Sequence, residues 1–268
     1  MIKKDGYVIL KEKLGASMRL LCFHHAGGSA LSLVPFIRNL PEDVEVCMFE
    51  LPGRGMLQEE EFLNDYISGK NYFLEKVKAC IDLPCIIFGH SLGGLFAYSV
   101  ASSLEEDNIS YLKKLVVSAA RSPFTVSSHA THPKQPFVVR TFESVKNDMK
   151  RLGGIPMELI EDNELLHLAV EVTGRDFHML DTFPATEQQK IDVPFELWLG
   201  DQDSTVDESE IALWKKLAGR EFEHVIYEGG HFYINECKEP SERIKALISK
   251  ECEIINGMTA IRITKRIG

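Results

Sequence analysis

The run Pro84-Cys85-Ile86-Ile87-Phe88-Gly89-His90-Ser91-Leu92-Gly93-Gly94 passes from an apolar segment into a GxSxG motif. Ile86 to Phe88 reads as a buried strand, and Leu92 onward, through Leu95, Phe96, Ala97, Tyr98 and Val100, reads as a helix packed on a sheet. A strand that ends at a serine, with a helix starting directly after it, needs a sharp and strained turn that holds the hydroxyl up and accessible. Gly89 and Gly93 suit that turn because neighbouring backbone approaches too closely for a Cβ. Ser91 is therefore a candidate nucleophile. The competing reading is a glycine-rich strand-to-helix turn without chemistry, and GxSxG alone does not separate the two.

Upstream, Met18 to Phe23 is an apolar run that stops at His24-His25-Ala26-Gly27-Gly28-Ser29, which predicts a buried strand, a tight loop and a helix over 30–40. Val44 to Phe49 predicts the next strand, ended by Leu51-Pro52-Gly53-Arg54-Gly55. Phe62, Tyr66, Phe73, Leu74 and Val77 fall at helical spacing within 60–80. Residues 1–17 are weakly patterned, with a short edge strand at Tyr7 to Leu10.

Downstream, Leu112 to Ser118 gives another strand, so strands and helices alternate. That order implies an α/β architecture with a mostly parallel sheet covered on both faces. Residues 121–190 break the pattern: a Ser/His/Thr/Pro-rich loop from Ser122 to Pro136 leads into helical patches, as expected of an inserted helical lid. The sheet pattern resumes with Val193 to Leu199, a helix over 208–218, the strand Phe222 to Tyr227 and a last helix over about 240–252, ended by Asn256-Gly257. The expected organisation is a core in two parts, 1–120 and 191–255, with a lid over 121–190 and a tail over 256–268.

With 268 residues and 44% hydrophobic content, one large core suffices and a single domain with an insertion is expected. A net charge of -10 argues against a general nucleic-acid or membrane-surface binder. No apolar run reaches the length of a membrane span, and the first residues lack the pattern of a signal peptide, so a cytoplasmic protein is expected. The six cysteines show no CxxC or metal spacing and read as small buried hydrophobes.

A serine hydroxyl needs a base within hydrogen-bond reach and a third group to orient that base. Of the nine histidines, His231 is favoured as the base: it follows Gly229-Gly230 in a loop after a strand, late in the chain. For the acid, Asp201 and Asp203 both lie just past the strand Val193 to Leu199, on the sheet edge where ligands collect. Asp203 is preferred, since Asp201 follows Gly200 directly and suits capping the turn; the alternative is that both merely shape a turn. Backbone amides of Leu92, next after the nucleophile, and of Ala26, in the loop after the early strand, are candidate oxyanion donors. His24 and His25 raise a metal reading, but adjacent imidazoles point apart and no ligand cluster accompanies them. Neither a metal nor another cofactor is expected.

Several segments together resemble the type II thioesterases that accompany non-ribosomal peptide and polyketide synthases, a branch of the α/β-hydrolase superfamily. Phe23 to Gly28 is similar to the family's FPxAGG, Glu50 to Gly55 to its LPGRG, Gly89 to Gly94 to GHSMG and Gly200 to Asp203 to GxxD; Gly229-Gly230-His231-Phe232 also matches. Arg151 to Pro156 and Arg175-Asp176-Phe177 resemble two stretches specific to this branch. His24 stands where the family has proline, and Met56-Leu57 replaces an expected arginine.

The resemblance implies an α/β-hydrolase fold and hydrolysis of acyl groups from the phosphopantetheine arm of an acyl or peptidyl carrier protein, with Ser91, Asp203 and His231 as the triad and the chain acting as a monomer. A general carboxylesterase or acyltransferase, or a non-catalytic binding protein of the same fold, are the alternatives. Phe137, Phe142, Leu152, Phe177, Met179 and Phe183 are candidates for the acyl chamber, although at helical spacing they also read as the core of the insertion. Lys134, Arg140, Lys146, Lys150 and Arg151 concentrate positive charge, either a docking surface for an acidic carrier protein or a solvated helix face.

Overall fold

The computed structural model describes residues 2–11, 15–41, 43–130, 140–153 and 162–267, and of residue 11 and residues 258–267 the backbone alone. Eight strands form one sheet: β1 (Ile2–Lys3), β2 (Tyr7–Lys11), β3 (Met18–Phe23), β4 (Val44–Phe49), β5 (Cys85–His90), β6 (Leu112–Ser118), β7 (Phe195–Gly200) and β8 (Phe222–Tyr227). Their spatial order is β1-β2-β4-β3-β5-β6-β7-β8. β1 and β2 pair antiparallel, as do β2 and β4, and every later pairing is parallel. This is an α/β-hydrolase fold. The segment Tyr7–Lys11 is longer than the sequence suggests and is an inner strand, with β1 covering its outer side.

β4, β5 and β7 are buried at every residue, which is why they read as mainly apolar runs; the two carboxylates among them are paired, Glu45 with Arg19 and Glu196 with Lys114. Alternate side chains supply the two faces of the sheet. Ile87 packs with Phe73, Phe96 and Trp214 on one face, and Ile86 and Phe88 pack with Phe36, Trp198 and Ile248 on the other. Among the described residues, the helices that flank or cap this core include α1 (Tyr66–Cys80), α2 (Leu92–Ser102), α3 (Pro123–His129), α4 (Phe142–Leu152) and α5 (Asn163–Asp181). Two more follow, α6 (Ser209–Leu217) and α7 (Glu239–Ile267). The segment 30–40 is shorter in helix than expected, a 3-10 turn over Ala30–Leu33 followed by Val34–Ile37.

Between β6 and β7 the described residues form α3, α4 and α5, each started by a side-chain cap: Ser122 accepts from the Thr125 amide, Thr141 from the Ser144 amide, and Asp162 from the Glu164 and Leu165 amides. Gly153 ends α4 in the left-handed conformation, with φ 78°. Val145, Met149, Leu166, Val170 and Phe177 form a small hydrophobic cluster between α4 and α5. The tail differs from expectation, because α7 does not stop at Asn256-Gly257 but continues to Ile267. One glycine costs a helix about 1 kcal/mol relative to alanine, which an already propagating helix tolerates. No helix among the described residues is long and apolar enough to cross a membrane.

β3 has β4 on one side and β5 on the other, so the direction in which strands are added reverses at β3. Such a reversal opens a crevice beyond the carboxyl ends of the strands. The loops that follow β3, β5, β7 and β8 all start on that edge.

Candidate active site

Ser91 follows β5 directly, with φ 57° and ψ -121°. A non-glycine residue at positive φ stores roughly 1–3 kcal/mol of strain, which the surroundings must fix in place. They do so here: the Ser91 amide donates to the Ser118 carbonyl at 2.8 Å. Added at Gly93, a Cβ would lie 2.3 Å from the Phe23 carbonyl oxygen, and at Gly89 it would lie 2.0 Å from that of Gly93. The elbow is thus wedged against β3 and its loop by backbone alone. Beneath it, His90 Nδ1 lies 2.8 Å from Ser118 Oγ, which lies 2.6 Å from the Tyr233 hydroxyl. Burial drives the His90 imidazole well below its ordinary pKa, so it is neutral.

His231 Nε2 lies 2.9 Å from Ser91 Oγ, and His231 Nδ1 lies 2.7 Å from Asp203 Oδ2. With the imidazole neutral and its Nδ1–H donated to the carboxylate, Nε2 is left to accept the serine proton. The second Asp203 oxygen, Oδ1, accepts from the Thr205 amide at 2.8 Å and the Thr205 hydroxyl at 2.7 Å. Burial alone would raise the Asp203 carboxyl, but the hydrogen bonds from His231 and Thr205 outweigh it and hold it below the ordinary range. Asp201 does different work: its Oδ1 accepts the Gly229 amide at 2.9 Å, tying the loop that carries Asp203 to the loop that carries His231.

The early loop is held as tightly. His24 Nδ1 donates to the His25 carbonyl at 2.8 Å and His25 Nδ1 to the Ala26 carbonyl at 2.9 Å. Burial first, and the nearby Arg54 next, push the His24 pKa down to about 3. Gly27 donates its amide to Asp176 Oδ2 at 2.7 Å, and the Ala30 amide donates to Glu50 Oε1 at 3.0 Å. Leu92 is the first residue of α2, so its amide has no partner within the helix. It lines the cavity beside Ser91, whereas Ala26 lines a smaller recess with His25, Gly27 and Phe232.

Residues 18–252 match the family model for the thioesterase domain. The chain belongs to the thioesterase family. It is similar to the gramicidin S biosynthesis protein GrsT of Aneurinibacillus migulanus, 25% identical over 223 residues that span 83% of this chain and 85% of GrsT. It is also similar to thioesterase PikA5 of Streptomyces venezuelae, 29% identical over 226 residues, 82% of this chain and 77% of PikA5. Among solved structures, the type II thioesterase BorB from the borrelidin biosynthetic cluster superposes with a TM-score of 0.78 at 25% identity, covering 94% of this chain and all of BorB (100%). The chain is therefore a hydrolase of thioesters, and its likeness is to the type II enzymes of non-ribosomal peptide and polyketide pathways.

In this thioesterase a cavity of about 380 Å³ opens at Ser91 and His231. Leu92, Leu95, Val126, Leu152, Phe177, Leu180 and Val206 give it apolar walls. Charged side chains also reach it: Arg140, whose guanidinium pairs with Asp181 at 2.6 Å, and Arg151, which pairs with Asp148 at 3.1 Å. Of the side chains expected in the chamber, Phe177 and Leu152 line it. Phe183 does not; it is 1% exposed and packs on Tyr66 in the main core, ring centroids 4.5 Å apart. Met179 also joins that core. Phe142 stays within the lid, tilted over His167 at 4.4 Å. All of these read as inward, but of them only Phe177 on α5 and Leu152 at the end of α4 face the cavity. Phe137 and Lys134 lie outside the described residues.

The positive charge of α4 is partly cancelled. Lys146 lies 3.7 Å from Glu143, Arg151 pairs with Asp148, and Arg140 also approaches Asp148, at 3.5 Å. Lys150 is exposed. Three residues that hold the site carried no role in the sequence reading: Thr205, Arg54 and Asp176. Arg54 and Asp176 stood in quoted motifs, so their importance was visible and their partnership was not. Thr205, two residues after Asp203, had the spacing at which a backbone amide closes an Asx turn on the Asp203 carboxylate.

Proposed function

We propose that this thioesterase hydrolyses acyl groups from the phosphopantetheine arm of a carrier protein through an acyl-serine intermediate. The observation that carries the proposal is the unbroken relay from Asp203 through His231 to Ser91 Oγ, set at the mouth of an apolar cavity. Ser91 Oγ attacks the thioester carbonyl carbon while its proton passes to His231 Nε2. Asp203 stabilises the imidazolium that forms. The amides of Leu92 and Ala26 take the oxyanion. As the tetrahedral intermediate collapses, the carbon–sulfur bond breaks and the pantetheine thiol leaves with the proton from His231. Water then attacks the acyl-serine with His231 again as base, releasing the carboxylic acid and restoring Ser91. The cavity volume falls in the range of small-molecule sites, enough for an acyl group of modest size.

The test is intact-mass measurement of a panel of acyl-loaded carrier proteins before and after incubation, alongside matched oxygen esters. Loss of the acyl mass from the carrier, fast for thioesters and slow for oxygen esters, is expected. Ser91→Ala should fold normally and lose turnover by at least about 10³-fold. Retained hydrolysis by purified Ser91→Ala sinks the serine mechanism, and equal rates on oxygen esters make the protein a general esterase.

A further inference from the structure

The loop His24–Ser29 is anchored by the lid rather than by the core alone. Asp176, on α5, is fully buried and accepts the Gly27 amide at 2.7 Å. The same carboxylate takes the Arg54 guanidinium in a two-pronged pair, Nη2 to Oδ1 at 2.6 Å and Nη1 to Oδ2. Arg54 Nη1 also reaches the Gly28 carbonyl at 3.4 Å. A Cβ at Gly27, where φ is 74°, would sit 2.2 Å from Thr173 Oγ1, so α5 rests directly on the loop. Three segments distant in sequence, the Leu51–Gly55 loop, the His24–Ser29 loop and α5, therefore meet at one carboxylate.

A buried ion pair is a poor way to gain stability, since apolar residues of similar volume often hold a fold as well or better. An apolar pair, however, cannot orient an amide. Asp176 grips the peptide N–H immediately after Ala26, whose own amide is the proposed oxyanion donor. We propose that Asp176, oriented by Arg54, is a positioning residue that aims the Ala26 amide, so that oxyanion stabilisation requires α5 to be seated on the loop. The inference rests on the serine mechanism above. It makes the lid a condition of turnover: a molecule with α5 displaced from Gly27 keeps its Ser91–His231–Asp203 relay and loses one of its two oxyanion donors.

Two neutral double variants separate positioning from packing. Arg54→Met with Asp176→Leu fills the space and removes the acceptor for Gly27; Arg54→Gln with Asp176→Asn keeps an acceptor and leaves no unpaired charge. Hydrolysis of an acyl-pantetheine is measured as kcat and KM, with kcat counted per molecule that reacts to completion with a fluorophosphonate, so that unfolded protein does not enter. The Met/Leu variant should lose about 10²-fold in kcat, the scale of one oxyanion donor, with KM within about threefold of the parent. The Gln/Asn variant should recover at least about tenfold of that loss. Gly27→Ala, which leaves both charged side chains in place but pushes the loop off Thr173, should likewise lower kcat and spare KM, and it reports even where the Met/Leu protein fails to fold. Parent-like kcat in Met/Leu or Gly27→Ala overturns the inference, as does an equal loss in the two double variants or a change confined to KM. Turnover retained by Ser91→Ala would instead remove the serine mechanism itself, whatever the positioning variants do.

Discussion

Thr205 grips one oxygen of Asp203 twice, through its amide at 2.8 Å and its hydroxyl at 2.7 Å, and leaves the other oxygen to His231. The carboxylate cannot rotate away from the imidazole without breaking both bonds. Thr205→Val removes the hydroxyl but keeps the amide, a loss of about 1–3 kcal/mol at a charged acceptor. A fall in kcat/KM of about tenfold is expected. Asp203→Asn should cost far more, about 10³–10⁴-fold, because an amide favours the wrong tautomer of His231. Asp201→Asn should stay within about tenfold of the parent. Steady-state kinetics on one acyl-pantetheine ranks the three, and a larger effect at Asp201 than at Asp203 would reverse the assignment.

Burial raises the Glu50 carboxyl from an ordinary 4.5 to about 7, against the opposing pull of the Ala30 amide and Arg54. The unfolded chain gives up this proton near 4.5 and the folded chain holds it to about 7. Between those values the folded state binds more protons, so this group costs stability as pH rises, by about 1.4 kcal/mol for each unit in the window. Glu50→Gln keeps an acceptor for the Ala30 amide and has no charge to bury. Urea unfolding of both proteins at pH 5 and pH 8 should show the variant gaining on the parent by up to about 3 kcal/mol across that interval. A constant difference would place the Glu50 pKa near its ordinary value.

The strand-to-helix junction at Ser91 was legible because its chemistry is local: an apolar run, two glycines and a serine within ten residues. The same holds for the loops that follow β7 and β8. What sequence could not show is where chemistry is made by distance. Asp176 and Arg54 are 122 residues apart and meet only because α5 rests on the loop that follows β3. The lid posed the opposite difficulty. Phe142 opens α4, Phe177 lies within α5 and Phe183 follows the end of α5; all three read as inward, yet they face the lid interior, the cavity and the main core, since a hydrophobic pattern says which residues are inward and not what they face. Asn256-Gly257 misled for a third reason, because a stop signal is only a propensity of about 1 kcal/mol.

Phe177 and Phe183 should therefore part company when truncated. Phe177 lines both the large cavity and the small recess beside Ala26, standing with Leu152 between them. Phe177→Ala joins the two spaces and should shift preference toward longer or bulkier acyl groups. Phe183→Ala opens a hole against Tyr66 in the main core and should cost about 3–5 kcal/mol of stability with acyl preference unchanged. Thermal melts together with kcat/KM across a series of acyl-pantetheines of increasing length distinguish them. A stability loss without a change in acyl preference at Phe177 would return that residue to the lid core.

The cations of α4 are the remaining candidates for recognising an acidic carrier protein, and their neighbours set how much each can contribute. Arg151 is engaged by Asp148 and Lys146 lies near Glu143, so only part of their charge projects outward. Lys150 is exposed and offers its field to a partner, within a screening length of about 8–10 Å at ordinary salt. Charge reversal at Lys150, alone and with Lys146→Glu, should raise KM for a carrier-bound acyl group by about threefold to thirtyfold, and more at low salt than at high salt. Hydrolysis of the same acyl group on free pantetheine should not change, because that substrate carries no protein surface. Equal effects on both substrates would mean that the lysines act on the lid itself, and no effect on either would make this face of α4 a solvated surface.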